Sequence, residues 1–352
     1  MKIETLLPLG KLDPGLRASA APLDIARVGE DARLAEELGY DGVITEETKE
    51  DPYIVMALAA QATSRVSLAT AVAVAFPRSP TVTAHSGWTL QRLSRGRFVL
   101  GLGSQVKGHI ERRFGMTWSA AGPWLRDYVR AVRAIWDCWQ NGTKLDFDSE
   151  HYRLNLMVPL FAPAPIEHPQ IPIQLAAVNP FMCQIAGEVA DGIRAHPIAT
   201  PSYIREVMLP AAKKGAAKAG RDFSPFAMCV MPLVATADNK AALADEIRDV
   251  RARVAFYAST PAYLAAFETQ GHGQVATQLQ ALSRAQRWEE MPALVCDAML
   301  DAYAVIGTYD EIAGKLKARY GALATHLEFT MPLASPADGN VVRGLVADLK
   351  RG

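Results

Sequence analysis

Eight short apolar runs, each followed by a stretch with helical spacing, limit what this chain can fold into. They are IETLLPL (3–9), DGVIT (41–45), SLATAVAVAF (67–76), RFVLGLG (97–103), IPIQLAAVNP (171–180), DGIRAHP (191–197), FAMCVMPLVAT (226–236) and THLEFTMPL (325–333). Runs this short and this apolar read as strands covered on both faces, the condition of a parallel sheet coated by helices. Between the first two, Ile25, Val28, Ala32, Ala35 and Leu38 hold helical spacing, with Asp24 as N-cap and Gly39 as stop. Strands and helices in strict alternation predict an α/β fold, and eight strands in particular predict a closed parallel (β/α)8 TIM barrel. The rival, a doubly wound open sheet binding a dinucleotide, lacks its fingerprint: GLGSQV supplies two glycines and then Val106 in place of the third.

A length of 352 residues suits one such barrel, expected here as a single domain over 1–352. Two stretches exceed what the alternation needs. KLDFDSEHYRLN (144–155) reads as a hairpin laid over the barrel, and 238–320 as a largely helical insertion between strands seven and eight, capping the barrel mouth. Lys plus Arg and Asp plus Glu both number 37, so the net charge gives no reason to expect nucleic acid or an anionic membrane as partner. The first residues lack the apolar core of a signal peptide, and no run reaches the roughly 18 apolar residues of a membrane span. Cys138, Cys183, Cys229 and Cys296 are scattered and read as buried thiols of a reducing compartment. The expectation is a cytoplasmic protein acting on small molecules.

In a barrel of this kind the active site lies at the C-terminal ends of the strands. That rule selects Glu46, Glu47 and Thr48 after strand two, Thr70 and Ala71 at strand three, and Ser104, Gln105 and Lys107 after strand four. After strand five come Ala177, Val178 and Asn179, and His196 stands at strand six. The chain has no HExxH helix, no paired Cys ligands, no GxSxG elbow and no phosphate-binding GxxxxGK[ST] loop. Small residues, glycine-rich strand ends, amides and one histidine suit a large flat ligand that carries its own chemistry.

The segments GYDGVITEE, ATAVAVAFPRSPTVTAH, LSRGRFVLGLGSQ, FDSEHYRLN and IPIQLAAVNPFMCQIAGEVADGI, in this order and spacing, resemble the bacterial-luciferase-like superfamily. Within it the likeness is to oxidoreductases that use the deazaflavin coenzyme F420. The match runs from about residue 24 to 197 and resumes over 305–329.

The resemblance implies one eight-stranded barrel with the cofactor ring at the strand C-termini. It also implies a bulge in strand three with a non-proline cis peptide at Ala71–Val72, so that Thr70, Ala71 and Val72 back the ring. Ala176, Ala177, Val178 and Asn179 then match the segment that holds the cofactor phosphate. Ser104 and Gln105 match a contact to ring or tail, and Lys107 is a candidate phosphate partner. His196 stands where a polar cofactor contact is expected. For proton transfer, Glu47 is the first candidate, with Glu46 and His196 behind it. The implied activity is hydride transfer between F420 and a small organic substrate. The alternatives are a reduced-FMN monooxygenase and a non-catalytic flavin-binding protein. A homodimer is the expected assembly.

Overall fold

The computed structural model describes residues 1–10, 24–333 and 336–351; the remainder of the unit expected over 1–352 lies outside them. Strands β1 (Lys2–Leu6), β2 (Gly42–Thr45), β3 (Ser67–Thr70), β4 (Ala73–Val74) and β5 (Phe98–Gly103) come first. The small antiparallel hairpin β6 (Phe147–Asp148) and β7 (Arg153–Leu154) follows, as expected over 144–155. Then come β8 (Ile173–Ala177), β9 (Gly192–Ala195), β10 (Ala227–Val230), β11 (Leu233–Ala237), β12 (Ala304–Thr308) and β13 (His326–Glu328). Around the sheet the order is β1, β2, β3, β5, β8, β9, β10, β13 and back to β1, every pairing parallel. This is the closed eight-stranded TIM barrel expected from the sequence, β3 and β4 being two halves of one stave.

Local chemistry sets the helix ends as the sequence suggests. Asp24 caps the turn that leads into helix Val28–Leu38, and Gly39 closes that helix at φ +94°, a value that costs glycine little. Helices Pro52–Ala62, Pro80–Leu93 and Pro180–Val189 each begin on proline, with Asp51, Ser79 and Asn179 accepting first-turn N–H groups. Their apolar faces and the outer faces of the strands form one extensive core. A smaller cluster of Leu6, Ile44, Ala69 and Ala71, with Val99 and Met231 against it, sits apart from that core.

Two expectations need correcting. The seventh run, 226–236, is two strands. β10 stays in the barrel, and after Met231–Pro232 the chain leaves it to pair β11 with β12 in a separate two-stranded parallel sheet. Pro232 has no N–H to continue a ladder, which makes it a natural exit point. Of the cysteines, Cys138, Cys183 and Cys229 are buried but Cys296 is exposed. The segment 238–320 carries helices Lys240–Ala258, Leu264–Glu268, Gly273–Arg284 and Asp297–Tyr303 before β12. Its last helix, Tyr309–Tyr320, packs on the closing helix Pro336–Lys350.

Candidate functional site

Strand three holds the feature on which the site is built. Ala69 of β3 pairs with Val99, yet Ala73 of β4 pairs with Leu102, so four steps on one strand oppose three on the other. The extra residue is a bulge, and a bulge switches which face the following side chains occupy. Ala69 and Ala71 accordingly pack in the small inner cluster, while Ala73 and Ala75 belong to the main core. The row of small residues in SLATAVAVAF is therefore not one face of a regular strand. The Ala71–Val72 peptide is cis.

Thr70 anchors the bulge. Its hydroxyl donates to the Gly101 carbonyl at 2.6 Å and accepts the Gly101 N–H at 2.8 Å, standing in for the interrupted ladder. The glycines of LGLG in β5 follow from the same geometry. A Cβ on Gly101 would lie 1.8 Å from the Thr70 carbonyl oxygen, and one on Gly103 would lie 2.7 Å from a Val72 methyl.

Above the bulge, at the C-terminal ends of the barrel strands, lies a cavity of about 610 Å³. Such a volume is typical of a cofactor or drug-sized ligand site. Ala71, Val72, Gly103, Ala176 and Ala177 give it a wall of small side chains and bare backbone. Glu46, Glu47, Ser104, Gln105, Lys107, Val178, Asn179 and His196 line it as well. Of the residues singled out in the sequence, only Thr70 is not on its surface; it is fully buried and acts through Gly101. Lys107 is mostly exposed at the rim, and Arg112 and Arg113 lie out in solvent.

Several of these side chains already have employment. Glu47 accepts the Val74 N–H at 2.7 Å, and both its oxygens are bound by the Arg78 guanidinium at 2.8 and 2.9 Å; Arg78 also reaches Asp51 at 2.9 Å. This carboxylate clamps the segment leaving the bulge. Asn179 turns its side chain back to the Met182 N–H at 2.9 Å, capping helix Pro180–Val189. With Pro180 lacking an N–H, that helix start has fewer free donors than an uncapped one. Gln105, at φ +55°, accepts the Val106 N–H, and the Ser104 hydroxyl turns to the Gln105 carbonyl. His196 is flanked by two rings, Tyr257 at 4.6 Å and Tyr263 at 4.3 Å, both from the segment between β11 and β12. Outside the lining, Ser119, His151 and Asp127 form a hydrogen-bonded chain of 3.0 and 2.8 Å that ties the loop before helix Ala121–Asn141 to the hairpin.

The structure adds charged groups to the cavity that the sequence reading passed over. Arg194 of β9 is almost fully buried and grips Glu4 of β1 through two bonds of 2.9 and 3.2 Å. Burial pushes the Glu4 carboxyl up, but the facing guanidinium outweighs it and holds the group below its usual range. Glu328, the last residue of β13, opens partly onto the cavity; burial pushes its carboxyl up to about 7, against the opposing hydrogen bond of Thr330. Arg253, from helix Lys240–Ala258, lines the same cavity, and its Nε is buried without a hydrogen-bond partner. The signal for Glu328 was present: it ends the eighth strand, where the barrel rule places functional groups. Arg194 and Glu4 were visible as opposite charges inside short apolar strands.

A family model described as luciferase-like monooxygenase matches residues 5–326. The chain belongs to the luciferase-like family. The superfamily resemblance carried by the sequence motifs is thereby borne out. An uncharacterised protein of Mycobacterium tuberculosis is 41% identical over 330 residues, covering 94% of this chain and 96% of that one. A 5,10-methylenetetrahydromethanopterin reductase of Methanolobus tindarius is 26% identical over 295 residues, covering 83% and 86%. Among solved structures, the coenzyme F420-dependent tetrahydromethanopterin reductase of Methanopyrus kandleri superposes with a TM-score of 0.74 at 20% identity, covering 99% of this chain and 97% of that one. No helix among the described residues is long and apolar enough to cross a membrane.

The residues present fit a flat tricyclic cofactor. The wall at Ala71, Val72 and Gly103 has no side chain beyond a valine, and adding bulk at Gly103 is barred by Val72 itself. Ser104, Gln105 and Asn179 add polar groups to the same lining.

Proposed function

We propose that this luciferase-like protein is an oxidoreductase that moves a hydride between the deazaflavin coenzyme F420 and a small organic substrate. The observation that carries the reading is the strand-three bulge, which brings bare backbone at Ala71–Val72 to the wall of an open cavity at the strand C-termini. Kinship with a putative coenzyme F420-dependent oxidoreductase of Mycobacterium tuberculosis, 28% identical over 331 residues, supports the deazaflavin over other ring cofactors.

When bound, the deazaflavin supplies a ring carbon that gives or takes a hydride. Ala71, Val72, Ala176 and Ala177 would back the ring. Ser104 and Gln105 would meet its polar edge, and Val178, Asn179 and Lys107 would hold the phosphate-bearing tail. His196, packed against Tyr257 and Tyr263 of the capping segment, lines the same pocket, and that segment would keep water from a bound ring. Hydride transfer asks the protein for orientation and at most one proton, not for a nucleophile. Glu47 is spent on Arg78 and the Val74 N–H, so its part is to hold the bulge in place. We expect a cytoplasmic homodimer; Ile54 and Val82, more than half exposed on neighbouring helices, offer apolar surface for it.

The second reading is a monooxygenase using reduced FMN and oxygen, favoured by the description of the matching family. Mixing the purified protein with each reduced cofactor and following oxygen consumption separates the two. The deazaflavin reading expects no rapid uptake with either; rapid uptake with FMN alone overturns it. Tight retention of a cofactor without turnover of any acceptor would point to a non-catalytic flavin-binding protein instead.

A further inference from the structure

Glu328 lines the cavity and, unlike Glu47, has no close ion pair and no backbone bond among the described residues. Among the described residues its Oε1 alone is hydrogen-bonded, to the Thr330 hydroxyl. The direction of that bond is fixed from behind. The Thr330 oxygen accepts the Leu6 N–H at 3.0 Å and lies 3.1 Å from the Thr5 hydroxyl, so its own proton is free to point at Glu328. No hydrogen bond from the described residues occupies the second carboxyl oxygen, Oε2. Arg253 is the complementary group: a permanent cation with donors only, lining the same cavity, with its Nε buried and unmatched. A donor-only cation suits a substrate oxygen and disfavours a protonated nitrogen.

We infer that Glu328 is the acid–base residue of the cavity, giving a proton to the oxygen of a carbonyl substrate held by Arg253 as the carbonyl carbon takes the hydride. The inference rests on the hydride-transfer reading. In the reducing direction the carbonyl π pair moves onto oxygen, one C–H and one O–H bond form, and the substrate gains two electrons. The reduced deazaflavin is oxidised and its ring N–H proton passes to solvent, from which Glu328 is protonated again. The alcohol is oxidised by the same steps reversed.

The surroundings keep this proton exchangeable near neutrality. Burial raises the carboxyl, Glu46 from the loop after β2 and Glu4 from β1 raise it further, and the Thr330 hydroxyl and Arg253 pull it down. Tyr40, whose hydroxyl donates to the Phe329 carbonyl, faces it as a neutral phenol, its own proton held well above the usual range by burial. A general acid works best with a pKa close to the operating pH.

The test has two arms. In ligand-free protein, infrared titration follows the carbonyl stretch of a protonated carboxyl. The expected band disappears with a midpoint near 7, is absent from Glu328→Gln and is kept in Glu328→Asp. In the second arm, 4-nitrobenzaldehyde oxidises reduced F420, with cofactor affinity measured alongside. Glu328→Gln is expected to bind the deazaflavin normally and turn over about 100-fold more slowly, with Glu328→Asp in between. A band unchanged by Glu328→Gln, or turnover within threefold of wild type, overturns the role of Glu328. A wild type that binds the deazaflavin but leaves the aldehyde untouched overturns the carbonyl assignment. Failure to bind any deazaflavin overturns the hydride reading itself, while the infrared arm still decides whether Glu328 exchanges a proton.

Discussion

Replacing Thr70 with valine isolates the anchor of the bulge. Valine matches threonine in shape and suits a strand, so no void opens, but the hydroxyl that both gives to the Gly101 carbonyl and takes its N–H is gone. Both backbone groups lie in fully buried surroundings, where an unmatched donor or acceptor costs about 1–3 kcal/mol. The expected loss is therefore roughly 2–4 kcal/mol, against about 1 kcal/mol for Thr70→Ser, which keeps the hydroxyl and loses one methyl. Urea denaturation measures both, with an unchanged slope showing that only stability moved. The same variant should bind F420 more weakly, because the backbone at Ala71–Val72 loses its tether. If Thr70→Val proves no less stable than Thr70→Ser, the hydroxyl does not hold the bulge and the reasoning fails.

Gly101→Ala should be worse than a typical overpacked site, which costs about 1–3 kcal/mol, since its Cβ would meet backbone at 1.8 Å; soluble yield and denaturation midpoint report it. Glu4→Gln leaves Arg194 buried without its counter-charge and should cost about 3–5 kcal/mol, again read from denaturation. For Glu328 the folded value of about 7 stands above the ordinary 4.5, so the native state holds this proton more tightly than the unfolded chain. Its contribution is full below pH 4.5 and fades as pH rises through 7, worth about 3 kcal/mol. Wild-type stability relative to Glu328→Gln should fall accordingly over that window, and a flat difference contradicts the assignment.

The barrel was legible because each strand is a short apolar run and each helix carries its own stop and start, as Asp24, Gly39 and Asn179 show. Most of the cavity wall followed from the rule about strand ends. What stayed hidden depends on contacts far apart in the chain. The pairing of β11 with β12 joins residues about 70 apart, with no local period to announce it. Glu47 looked like a free acid because its partner, Arg78, lies 31 residues on, beyond the bulge. Thr70 looked like a ring contact; only the offset between β3 and β4 shows that its hydroxyl is needed by β5. Glu328 was overlooked although it sits where the same rule applies.

The central claim is that a planar redox ring lies against Ala71–Val72. Titrating the purified protein with oxidised F420, beside an Ala176→Phe variant that puts a ring of its own into the cavity wall, tests it most directly. The account expects one saturable site in the wild type, loss of that site in Ala176→Phe, and an unchanged fold by circular dichroism. Undiminished binding to the folded variant would place the cofactor elsewhere and contradict the account.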